Sequence, residues 1–312
     1  MPEITDKDWP PEAAAEPQPG KGLPADGALE GGDDALAEPA PDAWAEAEAR
    51  ASALIRSATG KTLADHLMSA LGARPGVRTL AVGAGAGGVA LELMQHAPAP
   101  ALVCIDSKPE WLDPYRERAR ELALDAQFAA ADLDAIELEP DAFDVVFCHA
   151  VLHRVVELEG VVGQIKRALR PGGMLVLVEV VTRNGYAMWP ETREVIQAVW
   201  NTLPVKFRLN LTAYTTPLID DVIWEPDPLP SGTRCARPED ILPLVERHFL
   251  PEQFVPYFTM SRRFFDSMYG PNYDLAQPLD AALFNWIWAL DLHYLATRRL
   301  RPETFFGIYR AV

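Results

Sequence analysis

The sequence predicts an α/β fold built on a mostly parallel sheet with helices on both faces. Three observations carry this. Five apolar runs of strand length recur between residues 77 and 181, most of them separated by helical patterns. A glycine-rich stretch, AVGAGAGGVA (81–90), overlaps the end of the first run. Gly83, Asp106, Asp132 and His149 all fall where strands are expected to end. Parallel sheets bind ligands at the carboxyl ends of their strands, where the strand order reverses.

The chain opens with residues 1–42, which hold eight prolines, five glycines and no apolar periodicity. They read as a disordered, acidic Pro/Ala/Gly-rich tail, followed by a folded domain over 43–312. DAWAEAEARASALIRSA (42–58) and KTLADHLMSALGA (61–73) have helical spacing, with Trp44, Ala51, Leu54 and Ile55 on one face of the first and Leu63, Leu67 and Leu71 on one face of the second. VRTLAVG (77–83) is a strand and GVALELMQHA (88–97) a helix. ALVCID (101–106) is a strand, and PEWLDPYRERARELAL (109–124) a helix with Pro109 in its first turn. AQFAAAD (126–132) and FDVVFCH (143–149) are strands. LEGVVGQIKRALR (158–170) is a helix, PGG (171–173) a turn and MLVLVEVV (174–181) a strand. Beyond it, ETREVIQAVWNTL (191–203) is a helix and 204–236 is irregular. PEDILPLVERHF (238–249) is a helix interrupted by Pro243, and EQFVPYFTM (252–260) is a strand. DAALFNWIWALDLHYLATRRL (280–300) is a long helix, apolar on all sides and therefore expected to be buried. ETFFGIYRAV (303–312) is the last strand.

Composition narrows the function. At 312 residues the chain can bury a large core. Its net charge is −17, of which −9 sits in the tail, where eleven acids face two lysines. A nucleic-acid partner is not expected, because phosphate binding needs a basic surface. No apolar run approaches membrane-spanning length and the N-terminus lacks the pattern of a secretory signal, so neither a membrane nor export is expected. Three dispersed cysteines, Cys104, Cys148 and Cys235, make neither a disulfide framework nor a zinc set. These features imply a cytoplasmic protein with no metal. Oligomeric state is not legible.

The glycine stretch fits two ligands. Gly83, Gly85 and Gly88 match the G-x-G-x-x-G of dinucleotide binders; Gly83, Gly85 and Gly87 match the G-x-G-x-G of S-adenosylmethionine (SAM) binders. Asp106 suits either, since both ligands carry a ribose diol. Two later stretches separate them. FDVVFCHAVLHRV (143–155) and LRPGGMLVLVEV (169–180) resemble the fourth and fifth strand regions of class I SAM-dependent methyltransferases. The resemblance spans about 60–182 plainly and the C-terminal part weakly.

That resemblance implies a Rossmann-like, seven-stranded, mostly parallel sheet, with EQFVPYFTM and ETFFGIYRAV as the last two strands and a helical insert over 261–301. It implies a cofactor-binding core (60–182), an acceptor or lid region (183–301) and a closing strand (303–312). It implies that Gly83, Gly85 and Gly87 let the backbone approach the methionine moiety, that Asp106 takes the ribose hydroxyls, that Asp132 accepts from the adenine amino group with Leu133 beside the ring, and that His149 borders the sulfonium. Asp106 is then expected at a pocket mouth. His149 and His153 are the candidate bases, brought onto one side by a helical turn through AVLHR, with Glu179 a weaker candidate. The implied reaction is methyl transfer to a small-molecule or saccharide-linked acceptor, at oxygen. Ala81 departs from the pattern, for the family has an acid there, facing the cofactor's amino group. A non-catalytic SAM-fold protein and an NAD(P)-dependent oxidoreductase are the alternatives.

Overall fold

Runs rich in Val, Leu and Ala become central strands because they can be buried on both faces. The computed structural model describes residues 42–71, 75–83, 88–91, 101–183, 186–211, 218–224 and 237–311. Seven strands form one sheet: β1 (Arg78–Val82), β2 (Ala101–Asp106), β3 (Ala126–Ala130), β4 (Phe143–His149), β5 (Leu169–Val180), β6 (Phe249–Tyr257) and β7 (Thr304–Ala311). Their order is β3-β2-β1-β4-β5-β7-β6. The pairs among β1–β5 are parallel, and β7 runs antiparallel to both β5 and β6. The sheet steps outward from β1 to β3, then returns to lay β4 on the other side of β1. This reversal leaves the crevice of the fold between the ends of β1 and β4, where Val82 pairs with Cys148.

Helices cover both faces. α1 (Ala43–Thr59) is capped by Asp42, whose carboxylate accepts from the Ala45 N–H at 2.6 Å, and ends at Gly60 in the left-handed conformation, φ 78°. With α2 (Leu63–Leu71) it packs on the face that buries Ala81, Cys104 and Phe147. The opposite face buries Leu80, Val82, Val146 and Cys148. α3 (Pro109–Glu121) follows β2, α4 (Leu158–Ala168) follows β4, α5 (Pro190–Trp200) follows β5 and α6 (Ile241–His248) precedes β6. Between β6 and β7 lie α7 (Arg262–Phe265) and α8 (Pro278–Ala296), the helical insert. Buried Asp291 of α8 accepts from the N–H groups of Thr259 (2.9 Å), Met260 (2.7 Å) and Ser261 (2.7 Å), fixing the chain just before α7.

Several local expectations change. Pro243 does not interrupt a helix: a 3₁₀ turn over Pro238–Asp240 leads into α6, and Pro243 falls in its first turn, where a missing N–H costs nothing. β6 starts at Phe249, ends at Tyr257, and absorbs one irregularity between Pro251 and Gln253. The LRPGG turn lies inside β5: Leu169 pairs with Phe143, the register shifts, and Met174 pairs with Val145, with Gly172 at φ 74°. α8 is not buried all round. Trp288 is 7% exposed and Trp286 is 42% exposed, because residues two apart point to different sides. Residues 1–41 of the tail and residues 92–97 of the helix expected over 88–97 lie outside the described residues, whereas Asp42 belongs to the fold as the cap of α1.

The two thiols of the central strands are sealed. Cys104 on β2 and Cys148 on β4 are buried on either side of β1, and burial pushes the Cys104 thiol up to about 12 and the Cys148 thiol well above its usual value.

Candidate active site

The strand ends assemble a polar cluster around the crevice. Gly83 ends β1 at φ 89°, and a Cβ there would sit 3.1 Å from the Val151 Cβ. The turn and the close approach of the segment after β4 both call for glycine. Gly88 is also constrained, since its Cβ would meet the Tyr115 ring at 2.8 Å. Gly85 and Gly87 lie outside the described residues. Ala81 is fully buried within β1, and its methyl group offers no hydrogen-bond partner.

Asp106 closes β2. It is 4% exposed rather than at an open mouth, because its Oδ1 accepts from the Lys108 N–H at 3.0 Å and folds back over the turn into α3. The Asp106 carbonyl accepts from the Ala131 N–H at 3.0 Å, which sets the turn after β3 beside it. Asp132 is exposed there, and its Oδ1 accepts from the Asp134 N–H at 3.0 Å, capping the 3₁₀ turn Leu133–Ala135. Leu133 is buried and belongs to the core.

His149 and His153 do not share a helical face. Ala150 adopts φ 50°, which stops any helix at the end of β4, and only Leu152–Arg154 makes a 3₁₀ turn. The His149 ring stacks on Phe147, centroids 6.0 Å apart, and its buried Nδ1 has no hydrogen-bond partner among the described residues. Burial holds His149 below the usual histidine range, opposed by the charge of Glu179.

Glu179 organises the rest. It sits on β5, fully buried, and its Oε1 accepts from the Val151 and Leu152 N–H groups, both at 2.9 Å. Oε2 is 3.3 Å from His153 Nδ1, and His153 Nε2 is 2.8 Å from the Tyr186 hydroxyl. A carboxylate only accepts, so Nδ1 carries the imidazole proton and Nε2 accepts from Tyr186. Arg154 Nε also donates to Nε2, at 3.4 Å. His153 is 2% exposed; burial lowers its pKa against the pull of Glu179, with Arg154 and Arg262 lowering it further. Both histidines are therefore neutral near pH 7. His153 stands behind Tyr186, which forms the outer end of the chain Glu179–His153–Tyr186.

Cations and aromatic faces ring this cluster. Lys108 Nζ lies 4.3 Å from the centroid of Trp111, Arg154 Cζ 5.8 Å from the same ring, and Arg262 Cζ 5.6 Å from the Tyr186 ring. Tyr186, Arg154 and Arg262 were not legible in the sequence, because their meeting is a tertiary fact. Glu179 was partly legible, as an acid in an otherwise apolar strand. No set of three metal-ligating side chains gathers among the described residues, and no helix among them is long and apolar enough to cross a membrane.

A reversing parallel sheet with an antiparallel β7, and with polar residues converging at its strand ends, defines a Rossmann-like α/β domain. Residues 73–216 match the model of a methyltransferase domain family. Over that stretch, a little under half of the chain, the protein is similar to methyltransferase domains. It is similar to a demethylmenaquinone methyltransferase of Thermus thermophilus, 33% identical over 102 residues, covering 33% of this chain and 46% of that one. It is also similar to the ubiquinone/menaquinone biosynthesis C-methyltransferase UbiE of Dinoroseobacter shibae, 31% identical over 117 residues, 37% of this chain and 47% of the relative. The chain spans less than half the length of these relatives. A solved geranyl diphosphate methyltransferase in complex with SAM superposes with a TM-score of 0.47 at 15% identity, covering 80% of this chain and 84% of that one.

The residues present fit SAM, with one departure. Gly83, Asp106 and Asp132 stand at three neighbouring strand ends, and the orphaned Nδ1 of His149 marks an unsatisfied polar group beside them. Buried Ala81 offers no partner to the cofactor's amino group.

Proposed function

We propose that this protein transfers the methyl group of SAM to an oxygen of a small-molecule acceptor, using the Glu179–His153–Tyr186 chain as the proton-handling device. The observation that carries this reading is the 2.8 Å contact from Tyr186 to a buried, neutral imidazole whose other nitrogen is held by a buried carboxylate. When bound, SAM supplies an electrophilic methyl group. The protein holds it through the strand-end residues, with Asp106 on the ribose and Asp132 near the adenine, and orients the acceptor in line with it. As the acceptor oxygen becomes nucleophilic, its proton passes to the Tyr186 oxygen while the Tyr186 proton passes to His153 Nε2. The imidazolium so formed is stabilised by Glu179. Tyr186 is the residue that meets the acceptor, His153 the store of the proton and Glu179 its positioning partner. His149 borders the methyl-transfer site from the end of β4 as a second neutral imidazole.

Transfer to carbon is the second reading, favoured by the named activity of the Dinoroseobacter relative. The same chain of groups would then receive a proton from the methylated carbon. The test is release of S-adenosylhomocysteine across an acceptor library that includes phenols, aliphatic alcohols and saccharide-linked hydroxyls. Carbon-13 methyl-labelled SAM then distinguishes O–CH3 from C–CH3 by the shift of the new methyl. Binding of S-adenosylhomocysteine without turnover on any acceptor class would favour the non-catalytic alternative. Binding of NADH in its place would favour the oxidoreductase.

A further inference from the structure

We infer that the acceptor carries an oxyanion, a carboxylate or phosphate-type group, and that Arg262 is the residue that selects it. This rests on the methyltransferase reading for the word acceptor, but the cation's placement stands without it. Arg262 opens α7 in the helical insert, and its backbone is held there by Asp291, which accepts the three preceding N–H groups. The next residue, Arg263, is fully committed: it donates from Nε and Nη2 to the two oxygens of buried Glu303, both at 2.9 Å. Arg262 is treated in the opposite way. It is half-buried, its guanidinium lies over the Tyr186 ring, and no carboxylate among the described residues lies within ion-pair distance of it. Two acids feel its charge, Glu48 of α1 and Asp266 at the end of α7; burial raises each carboxyl and Arg262 lowers it.

A half-buried guanidinium has given up part of its water. A ring contact of this kind returns little of that and leaves the planar fork of N–H donors unspent. That fork matches a carboxylate or phosphate in two parallel bonds. It lies one aromatic ring away from the Tyr186 hydroxyl, so an anion seated on Arg262 would set the rest of the molecule against the proton-handling chain. Lys108 and Arg154 both lie over the Trp111 ring, so two further cations stand near the strand ends.

Benzoate and benzamide are suitable probes, alike in shape and differing in charge, with a ring suited to the Trp111 and Tyr186 faces. Each is titrated calorimetrically into the full chain, with and without saturating S-adenosylhomocysteine. Wild type is expected to bind benzoate at least about tenfold more tightly than benzamide, since a charge-assisted pair exceeds one decade of affinity. Arg262→Gln is expected to erase the preference by weakening benzoate alone, and Arg262→Lys to keep part of it. S-adenosylhomocysteine affinity and melting temperature are expected to stay at wild-type values in both variants. Equal binding of the two probes by wild type, no binding of benzoate, or a preference that survives in Arg262→Gln would overturn the inference. The wild-type pair decides the matter even if the Gln variant folds poorly. Failure to bind S-adenosylhomocysteine would sink the methyltransferase reading instead, and the benzoate titration without it would still judge Arg262.

Discussion

Replacing Glu179 with Ala removes the acceptor for two buried backbone N–H groups, of Val151 and Leu152, and for the Nδ1–H of His153. None of these donors reaches water, because Glu179 and His153 are 0% and 2% exposed and the segment after β4 covers them. Each buried donor left unpaired costs about 1–3 kcal/mol, so the two backbone groups alone give roughly 2–6 kcal/mol, before the cavity is counted. Against a typical domain stability of about 5–15 kcal/mol this is a large fraction. At roughly 2–4 °C per kcal/mol for a large domain, Glu179→Ala should melt at least about 4 °C early. Glu179→Gln is the sharper variant. Its amide oxygen can still accept from Val151 and Leu152, so its stability loss should be only about 1–2 kcal/mol. Its amide N–H groups, however, face His153 Nδ1 and should drive the ring proton to Nε2, where Arg154 already donates. Calorimetric melts of the three proteins measure the first effect, and nitrogen-15 spectra of the imidazole read the tautomer directly. An Ala variant that melts within about 2 °C of wild type, or a Gln variant that keeps the Nδ1–H tautomer, would refute the keystone role of Glu179.

Asp106→Ala should weaken S-adenosylhomocysteine binding by at least about tenfold in calorimetry; it should also cost about 1 kcal/mol of stability, because Oδ1 accepts from the Lys108 N–H, and unchanged affinity would remove the ribose role. Burial keeps His149 and His153 neutral in the fold, so as pH falls through about 6.5 the unfolded chain takes up protons that the native state refuses. Their contribution is present above that pH and is lost toward the lowered native values; melting temperature should fall on acidification, and a His149→Gln/His153→Gln double variant should show a shallower fall, an equal slope counting against it. Trp288→Ala should cost about 3–5 kcal/mol in urea unfolding, whereas exposed Trp286→Ala should stay within about 0.5 kcal/mol; similar losses at both would contradict the orientation of α8.

The sheet was legible because buried parallel strands write themselves as apolar runs, and every strand of β1–β5 begins or ends within a few residues of its run. The positions of Gly83, Asp106 and His149 were legible for the same reason, since they are strand ends. What escaped was anything set by backbone detail or by tertiary meeting. A left-handed Ala150 replaced the helical turn expected through AVLHR. The apolar composition of α8 suggested complete burial, but a helix at the edge of the insert has only one side to bury, and Leu279 and Trp286 remain outside. Tyr186 and Arg262 lie in segments without periodicity near them, and 76 residues separate them; only the fold brings the guanidinium over the ring. Leu133, expected beside a ligand ring, is held in the core by the turn that Asp132 caps.

Cys104 and Cys148 flank β1 in the sheet, one on each neighbouring strand. A thiol reacts as its thiolate, and burial suppresses that form at both. The two side chains point to opposite faces of the sheet, so alkylation has to wait until the layer covering that face lifts. The two sulfurs are native clocks on the two faces, needing no engineered probe. Pulsed labelling, followed by mass spectrometry of the two peptides, would give the opening rate of each face separately. Repeating the pulse with S-adenosylhomocysteine present would show which face a ligand at the strand ends holds shut.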